Sequence, residues 1–123
     1  MKELVVSTTD PTPPYEQLRR QLADLIHSGE VQVGERLPAL RQLAGDLGLA
    51  VGTVARAYRE LESAGLIVCR RGGGTWIADR PGGREHSEAL RMAALTYVRE
   101  GRRLGAQWDE MLAMLRAAFG TAD

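Results

Sequence analysis

Hydrophobic side chains recur every three or four residues along the first half of the chain and predict three amphipathic helices. The first begins near Tyr15 and ends at Ser28-Gly29, the second ends before Gly48, and the third ends before Gly65. Their apolar stripes are Leu18, Leu22, Leu25 and Ile26, then Leu40, Leu43, Ala44 and Leu47, then Val54, Tyr58 and Leu61. We expect the second and third helices to cross over a shared core, with Gly48 in the tight turn between them.

A hairpin pattern follows the third helix. Leu66 to Arg71 and Thr75 to Ala78 have the apolar and β-branched content of strands, and Gly72 to Gly74 forms the bend. The segment from Val31 to Leu37 is predicted to be a loop that can add a short strand to this sheet. The order of elements predicts a winged helix-turn-helix, a mainly α fold with a small β-hairpin wing.

The polar face of the third helix suits DNA. Small residues at its start and guanidinium groups along its exposed side allow entry into a major groove, where arginine reaches guanine edges or phosphates. In the wing, arginines stand beside glycines that let the backbone approach a sugar-phosphate edge. The polar positions are Arg41 and Gln42 on the second helix, Gly52, Thr53, Arg56, Arg59 and Glu60 on the third, and Arg70 and Arg71 in the wing.

The second half of the chain predicts a helical pair that needs a partner. Residues 79–84 have the composition of a linker, and helices are expected over roughly 85–103 and 107–119. Their apolar stripes are too broad to be buried by two helices alone, so we expect the same pair from a second chain to cover them. The predicted dimer interface is Leu90, Ala94, Tyr97, Val98, Trp108, Met111, Leu115 and Phe119. The expected domains are residues 1–78, which bind DNA, and 85–123, which dimerise.

The motifs PYEQL, IHSGEVQVGERLP, LRQLAGDLGLAVGTVARAYRELESAGLI and RRGGGTWIA, from Pro14 to Ala78, resemble the amino-terminal domain of the GntR family of bacterial transcription regulators. The short length with a helical pair at the end is similar to the YtrA type. By this resemblance, Arg41, Thr53, Arg56 and the wing positions Arg71, Gly72 and Gly73 fall on DNA-contacting positions of the family.

The chain departs from the family pattern at both predicted helix starts. Ala39 and Ala50 stand where a hydroxyl residue is common, and alanine at such a cap costs about 0.5–2 kcal/mol. Val51 stands where arginine is common, and Gly73 where lysine or arginine is common. We expect an altered sequence preference, with an apolar contact from Val51 to a thymine methyl group as a hypothesis.

Charge supports DNA binding only locally. The formal net charge is zero, but residues 36–80 hold seven arginines against four acidic residues, an excess of three. Such a small excess favours a few placed contacts and a dimer, since one protomer alone attracts the duplex weakly. Lys2 is the only lysine, so nearly all cations have the bidentate geometry of arginine.

Other functions find no support in the sequence. No apolar run is long enough for a membrane span, no signal peptide is present, and we expect a cytoplasmic protein. His27, His86 and Cys69 lack metal-ligand spacing, the glycine run lacks the spacing of a phosphate loop, and no catalytic set can be assembled. We expect no enzyme activity, metal or cofactor, and we assign no effector ligand. Cys69 is expected to be a buried, inert thiol.

The sequence therefore predicts a DNA-binding transcription regulator, a homodimeric repressor on an inverted-repeat operator. The alternative is a winged-helix module for protein interaction, in which the arginine face binds an acidic partner. For Arg41 and Arg56 the alternative role is surface salt bridging, with Asp46 or Glu60.

Overall fold

The computed structural model describes residues 4–79 and 83–121. It contains five helices and three strands, and it divides into two compact units between Ser87 and Glu88. The elements are α1 (Pro14–Ser28), β1 (Arg36–Leu37), α2 (Leu40–Leu47), α3 (Val51–Ser63), β2 (Ile67–Arg70), β3 (Gly74–Ile77), α4 (Gly83–Arg103) and α5 (Trp108–Thr121). None of the helices in the described ranges has the length and hydropathy needed to cross a bilayer.

The first unit is built around α1 and α3, whose predicted stripes meet in one core. Leu18 and Leu22 of α1 and Val54 and Leu61 of α3 are fully buried. Tyr58 joins them, and its hydroxyl donates to the carbonyl of Pro38 at 2.8 Å, which ties α3 to the segment before α2. Burial raises the pKa of Tyr58 to about 12, so the hydroxyl stays protonated and remains a donor.

The turn between α2 and α3 depends on Gly48. This residue has φ +68°, a conformation that side-chain-bearing residues rarely adopt, and it ends α2. Leu49 then donates its N–H to the carbonyl of Ala44 at 2.9 Å, which closes the turn. The predicted helix-turn-helix is therefore present.

The wing is a three-stranded antiparallel sheet in the order β1-β3-β2. The expectation that the loop from Val31 to Leu37 can add a short strand to this sheet is met by β1, which pairs Leu37 with Thr75 of β3. One face of the sheet points into the core through Leu37, Ile67 and Ile77.

The prediction that Cys69 is buried is wrong. Its side chain is exposed and lies 3.5 Å from the hydroxyl of Thr75, its partner in the ladder. Cys69 is on the core-facing side of β2, but it lies two residues beyond Ile67, where the hairpin has passed the edge of the core. The alternation of residues along β2 therefore predicts correctly which face of the sheet Cys69 is on, but it does not predict whether the side chain is buried.

An amino-terminal arm lies along α1, held by two glutamine side chains. Gln17, which is buried, accepts from the N–H of Ser7 at 2.8 Å and donates to the carbonyls of Ser7 (3.0 Å) and Thr12 (2.8 Å). Gln21 accepts from the N–H of Val5 at 2.9 Å and donates to its carbonyl at 2.6 Å. Each carboxamide thus pairs with the arm as a neighbouring strand would.

The second unit is an α-helical hairpin of α4 and α5. Gly101 is buried where the helices meet, and a Cβ there would lie 2.5 Å from Sδ of Met111, so a larger residue would displace the end of that side chain. Tyr97 donates its hydroxyl to the carbonyl of Met111 at 2.8 Å. Helix α4 begins at Gly83, two residues earlier than predicted. Residues 80–82 of the predicted linker lie outside the described residues.

Candidate nucleic-acid interface

The side of α3 opposite the core is exposed, as its spacing predicts. Gly52, Arg56 and Arg59 lie on it in solvent, and the side chain of Thr53 is half-buried at its edge. A Cβ at Gly52 would meet no atom within 4 Å, so the backbone there is open to an approaching surface. Val51 begins the helix with 37% of its surface exposed. The predicted DNA-contacting residues of α3 therefore share one accessible face and its margin.

Arg56 is stacked on an aromatic ring, a contact that the sequence analysis did not predict. Its guanidinium carbon lies 3.7 Å from the centroid of Tyr15, at the start of α1. Such stacking occupies the flat face of the guanidinium and leaves its N–H edge open. In the part of the chain that the structure describes, Arg56 donates no hydrogen bond to a protein acceptor.

The salt-bridge alternative for the two arginines is not what the structure shows. Although Glu60 lies one turn after Arg56, the described ion pairs do not join them, and Oε2 of Glu60 is buried without a hydrogen-bond partner. Arg41 is exposed on α2, and it forms no ion pair with Asp46 within the described ranges. Both guanidinium groups therefore keep their donors for an external acceptor.

The starts of α2 and α3 offer further donors. Ala39 and Ala50 are the N-cap residues, with extended backbone (ψ 148° and 145°) and no side chain that accepts from the first turn. The backbone N–H groups of Val51 and Gly52 have no acceptor within the described residues. Unpaired N–H groups together with the positive end of a helix dipole favour a phosphate at this point.

Two acidic side chains near α3, those of Glu16 and Glu62, are engaged by hydrogen bonds. Arg19 forms a two-pronged hydrogen bond with Glu16 (2.5 and 2.9 Å), and Arg20 adds a third at 3.1 Å. The Arg19 hydrogen bond, supported by Arg20, lowers the pKa of Glu16 to about 2. Glu62 accepts from the backbone N–H of Cys69 at 3.0 Å, which joins α3 to the wing.

The tip of the wing is a fixed turn. Gly72 has φ +70°, and Gly73 donates its N–H to the carbonyl of Arg70 at 2.9 Å. Trp76 donates its indole N–H to the carbonyl of Gly73 at 2.7 Å. Arg71, the predicted wing contact, is exposed beside this turn.

Sequence reasoning missed three residues that shape these surfaces: Tyr15, Arg36 and Trp76. Arg36 pairs with Trp76 across the sheet, and Tyr15 meets Arg56 across the α1–α3 contact. Both contacts join positions about 40 residues apart. The only available signal was the arginine and aromatic content of the segments themselves.

The helical pair carries an apolar groove with a volume of about 910 Å³. Its lining includes seven of the eight predicted interface residues, with Arg102 among the other lining residues. Trp108 is 73% exposed and Phe119, the eighth residue, is 88% exposed outside the groove. The seven are Leu90, Ala94, Tyr97, Val98, Trp108, Met111 and Leu115.

Comparison with known proteins agrees with this geometry. Residues 14–77 match the family described as "Bacterial regulatory proteins, gntR family". The chain is 45% identical over 93 residues to the transcriptional regulator Rv1152 of Mycobacterium tuberculosis. The matched segment covers 76% of this chain and 74% of the relative. It is 41% identical over 68 residues to the transcriptional repressor YtrA of Bacillus subtilis, which covers 55% of this chain and 52% of the relative.

A solved structure gives the corresponding fold on DNA. The DNA-binding domain of AraR in complex with operator ORX1 superposes with a TM-score of 0.56 and 26% identity, covering 63% of this chain and 100% of that chain. The predictions of a winged helix-turn-helix and of a regulator in place of an enzyme are confirmed by these matches. The individual contact residues stay predictions.

Proposed function

Since this chain belongs to the GntR family of bacterial regulatory proteins and is a DNA-binding transcription regulator, we propose that it is a homodimeric repressor of an inverted-repeat operator. The observation that carries the proposal is the exposed arginine face of α3 beside a glycine-tipped wing. Residues 1–78 would bind DNA and residues 85–123 would dimerise, with 79–84 as the linker.

In this proposal α3 enters the major groove. Arg56 and Thr53 contact base edges or phosphates, and Gly52 lets the backbone come close. Val51 takes the apolar contact to a thymine methyl group. Arg41 holds a phosphate or a base edge from α2, and the turn of Arg71, Gly72 and Gly73 meets the neighbouring groove edge.

The second copy would cover the apolar face of α4 and α5. Trp108 and Phe119 are among the most exposed large apolar side chains of the described residues, and the groove between the helices is open. Large exposed patches of this kind mark interaction sites. A two-fold dimer presents two α3 helices to two half-sites, which is the symmetry of an inverted repeat.

Repression is the direction of regulation that we propose. A dimer bound at a promoter acts most simply by occupying it. The name of the YtrA relative, a transcriptional repressor, supports this direction. Because the target is chromosomal DNA, the place of action is the cytoplasm.

The DNA proposal is tested by selecting bound fragments from genomic DNA and measuring affinity by fluorescence anisotropy at a fixed salt concentration. We expect one family of fragments to bind roughly a thousandfold or more tightly than unrelated duplexes. Scrambling one half-site is the control and should remove most of that preference. Equal affinity for all duplexes would contradict the proposal and favour the protein-interaction module.

The dimer is tested by Leu115→Glu in the full chain. Leu115 is 51% exposed and lines the groove, so a buried, unpaired carboxylate would oppose association. Leu104→Glu is the matched control, since Leu104 is 68% exposed and is not among the groove-lining residues. Sedimentation should give monomers for the first variant and dimers for the second. A dimer in both would place the association surface elsewhere.

A further inference from the structure

Trp76 lies on the outward face of the wing between two arginines. Arg36 of β1 pairs with it directly, and Arg70 of β2 lies two residues beyond Val68, its other partner. Each guanidinium carbon is 5.6 Å from the centroid of the indole ring. Since β3 is the central strand, the two arginines approach Trp76 from opposite neighbouring strands, and each is within cation–π distance of its ring.

The side chain of Arg36 is directed to the tip of the wing. A Cβ at Gly74 would lie 2.6 Å from both Nε and Nη2 of Arg36, so the guanidinium rests on the backbone of β3 at Gly74, whose φ of +82° favours glycine. The indole N–H of Trp76 is bonded to Gly73 in the turn. We call Arg36, Arg70 and Trp76 the wing clamp, because all three are fixed to the same turn.

The two charges of the wing clamp lack an acidic partner in the part of the chain that the structure describes. Within residues 4–79 and 83–121, Arg36 and Arg70 form no ion pair and donate no hydrogen bond. Glu62, an acid near this hairpin, is engaged with the N–H of Cys69. The wing therefore holds two guanidinium groups that have no acceptor among the described residues, and Arg71 is a third exposed arginine in the same hairpin.

We propose that the wing clamp binds backbone phosphates of DNA next to the groove that the wing tip enters. This rests on the proposed function, adds Arg36 to the residues that hold the duplex, and gives Arg70 a phosphate as its partner. A guanidinium edge is matched to two phosphate oxygens, and one DNA strand offers a phosphate charge about every 3.4 Å of axis. Adjacent phosphates can thus engage adjacent arginines.

The geometry favours phosphates over bases. The indole of Trp76 already has a guanidinium on each side and its N–H bonded to Gly73, so it is poorly placed to stack on a nucleobase. Phosphate contacts fix position without reading sequence. The wing clamp therefore contributes affinity for all duplexes equally, whereas α3 contributes preference.

The test is the salt dependence of binding by the full chain, with Arg36→Gln and Arg70→Gln. The slope of log K against log salt is negative, and each lost phosphate contact makes it less steep by about 0.9, or by about 1.8 for the two wings of a dimer. At about 0.15 M salt this corresponds to about a fivefold loss per wing and about thirtyfold per dimer. Operator and unrelated DNA should lose affinity by the same factor.

Arg99→Gln is the matched control, because Arg99 is exposed on α4 opposite the apolar stripe and the charge change is the same. It should leave slope and affinity unchanged. Trp76→Phe keeps an aromatic ring and should retain most of the slope, while Trp76→Leu should lower it as the arginine variants do. Circular dichroism melts identify any variant that fails to fold, and the arginine variants alone decide the matter.

The outcomes separate this inference from the proposed function. An unchanged slope in Arg36→Gln and Arg70→Gln, with wild-type operator preference intact, overturns the wing clamp. A loss confined to the operator also overturns it, since that is base recognition. A wild-type protein without sequence preference, whose slope on any duplex still falls in both variants, supports the wing clamp and removes the proposed operator.

Discussion

Tyr15 should affect DNA affinity although we do not expect it to contact the duplex itself. Its ring holds Arg56 at 3.7 Å, so the arginine is ordered before binding. Immobilising a long side chain on binding costs about 0.5–1.5 kcal/mol, and two protomers double this to about 1–3 kcal/mol. Tyr15→Leu should therefore weaken operator binding by about fivefold to about 150-fold. Tyr15→Phe, which keeps the ring, should retain most of the affinity.

The assay is a double-mutant cycle with Arg56→Ala, measured by anisotropy on the selected operator. If Tyr15 acts through Arg56, Tyr15→Leu has little further effect once the guanidinium is gone. Equal losses from Tyr15→Leu in both backgrounds would refute the reasoning and leave Tyr15 as a general packing residue. An Arg56→Ala variant with wild-type affinity would remove the proposed DNA contact of Arg56 instead.

Four other substitutions test separate features. Ala50→Ser supplies the missing N-cap hydroxyl of α3 and should raise the free energy of unfolding by about 0.5–2 kcal/mol, seen as a higher Tm; an unchanged Tm would show that water serves the helix start equally well. Gly101→Val displaces Met111 and should destabilise the helical hairpin by about 1–3 kcal/mol in thermal melts, and a wild-type melt would contradict the close contact. Glu16→Gln removes a carboxylate whose pKa falls from 4.5 to about 2 on folding, so its stabilisation is present above pH 4.5 and lost as the pH falls through about 2. The variant should lose less stability across that window, and an equally steep acid transition would count against the ion pair. Val51→Arg should change the profile of selected DNA sequences, and an identical profile would end the thymine hypothesis.

Short-range pattern was enough to predict most of the fold. The stripes of α1 to α3 have helical spacing, and Gly48 and Gly65 both adopt the positive φ that their positions predicted. These features depend on residues only a few positions apart, so one sequence contains their whole signal.

Depth and long-range contacts could not be predicted in the same way. The exposure of Cys69 depends on where the core ends, which alternation along β2 does not encode. The stack of Arg56 on Tyr15 depends on how α1 packs against α3, and the flanking of Trp76 by Arg36 depends on strand pairing. Each requires the three-dimensional arrangement of separate elements.

The arm that Gln17 and Gln21 hold has a chemical weakness. Each carboxamide must accept and donate at once, because one of its atoms faces an N–H and the other faces a carbonyl. Hydrolysis of the amide to an acid, the change that deamidation brings as a protein ages, would set an anionic oxygen against the carbonyls of Ser7 and Thr12. The arm would then separate from α1 although no backbone bond is cut.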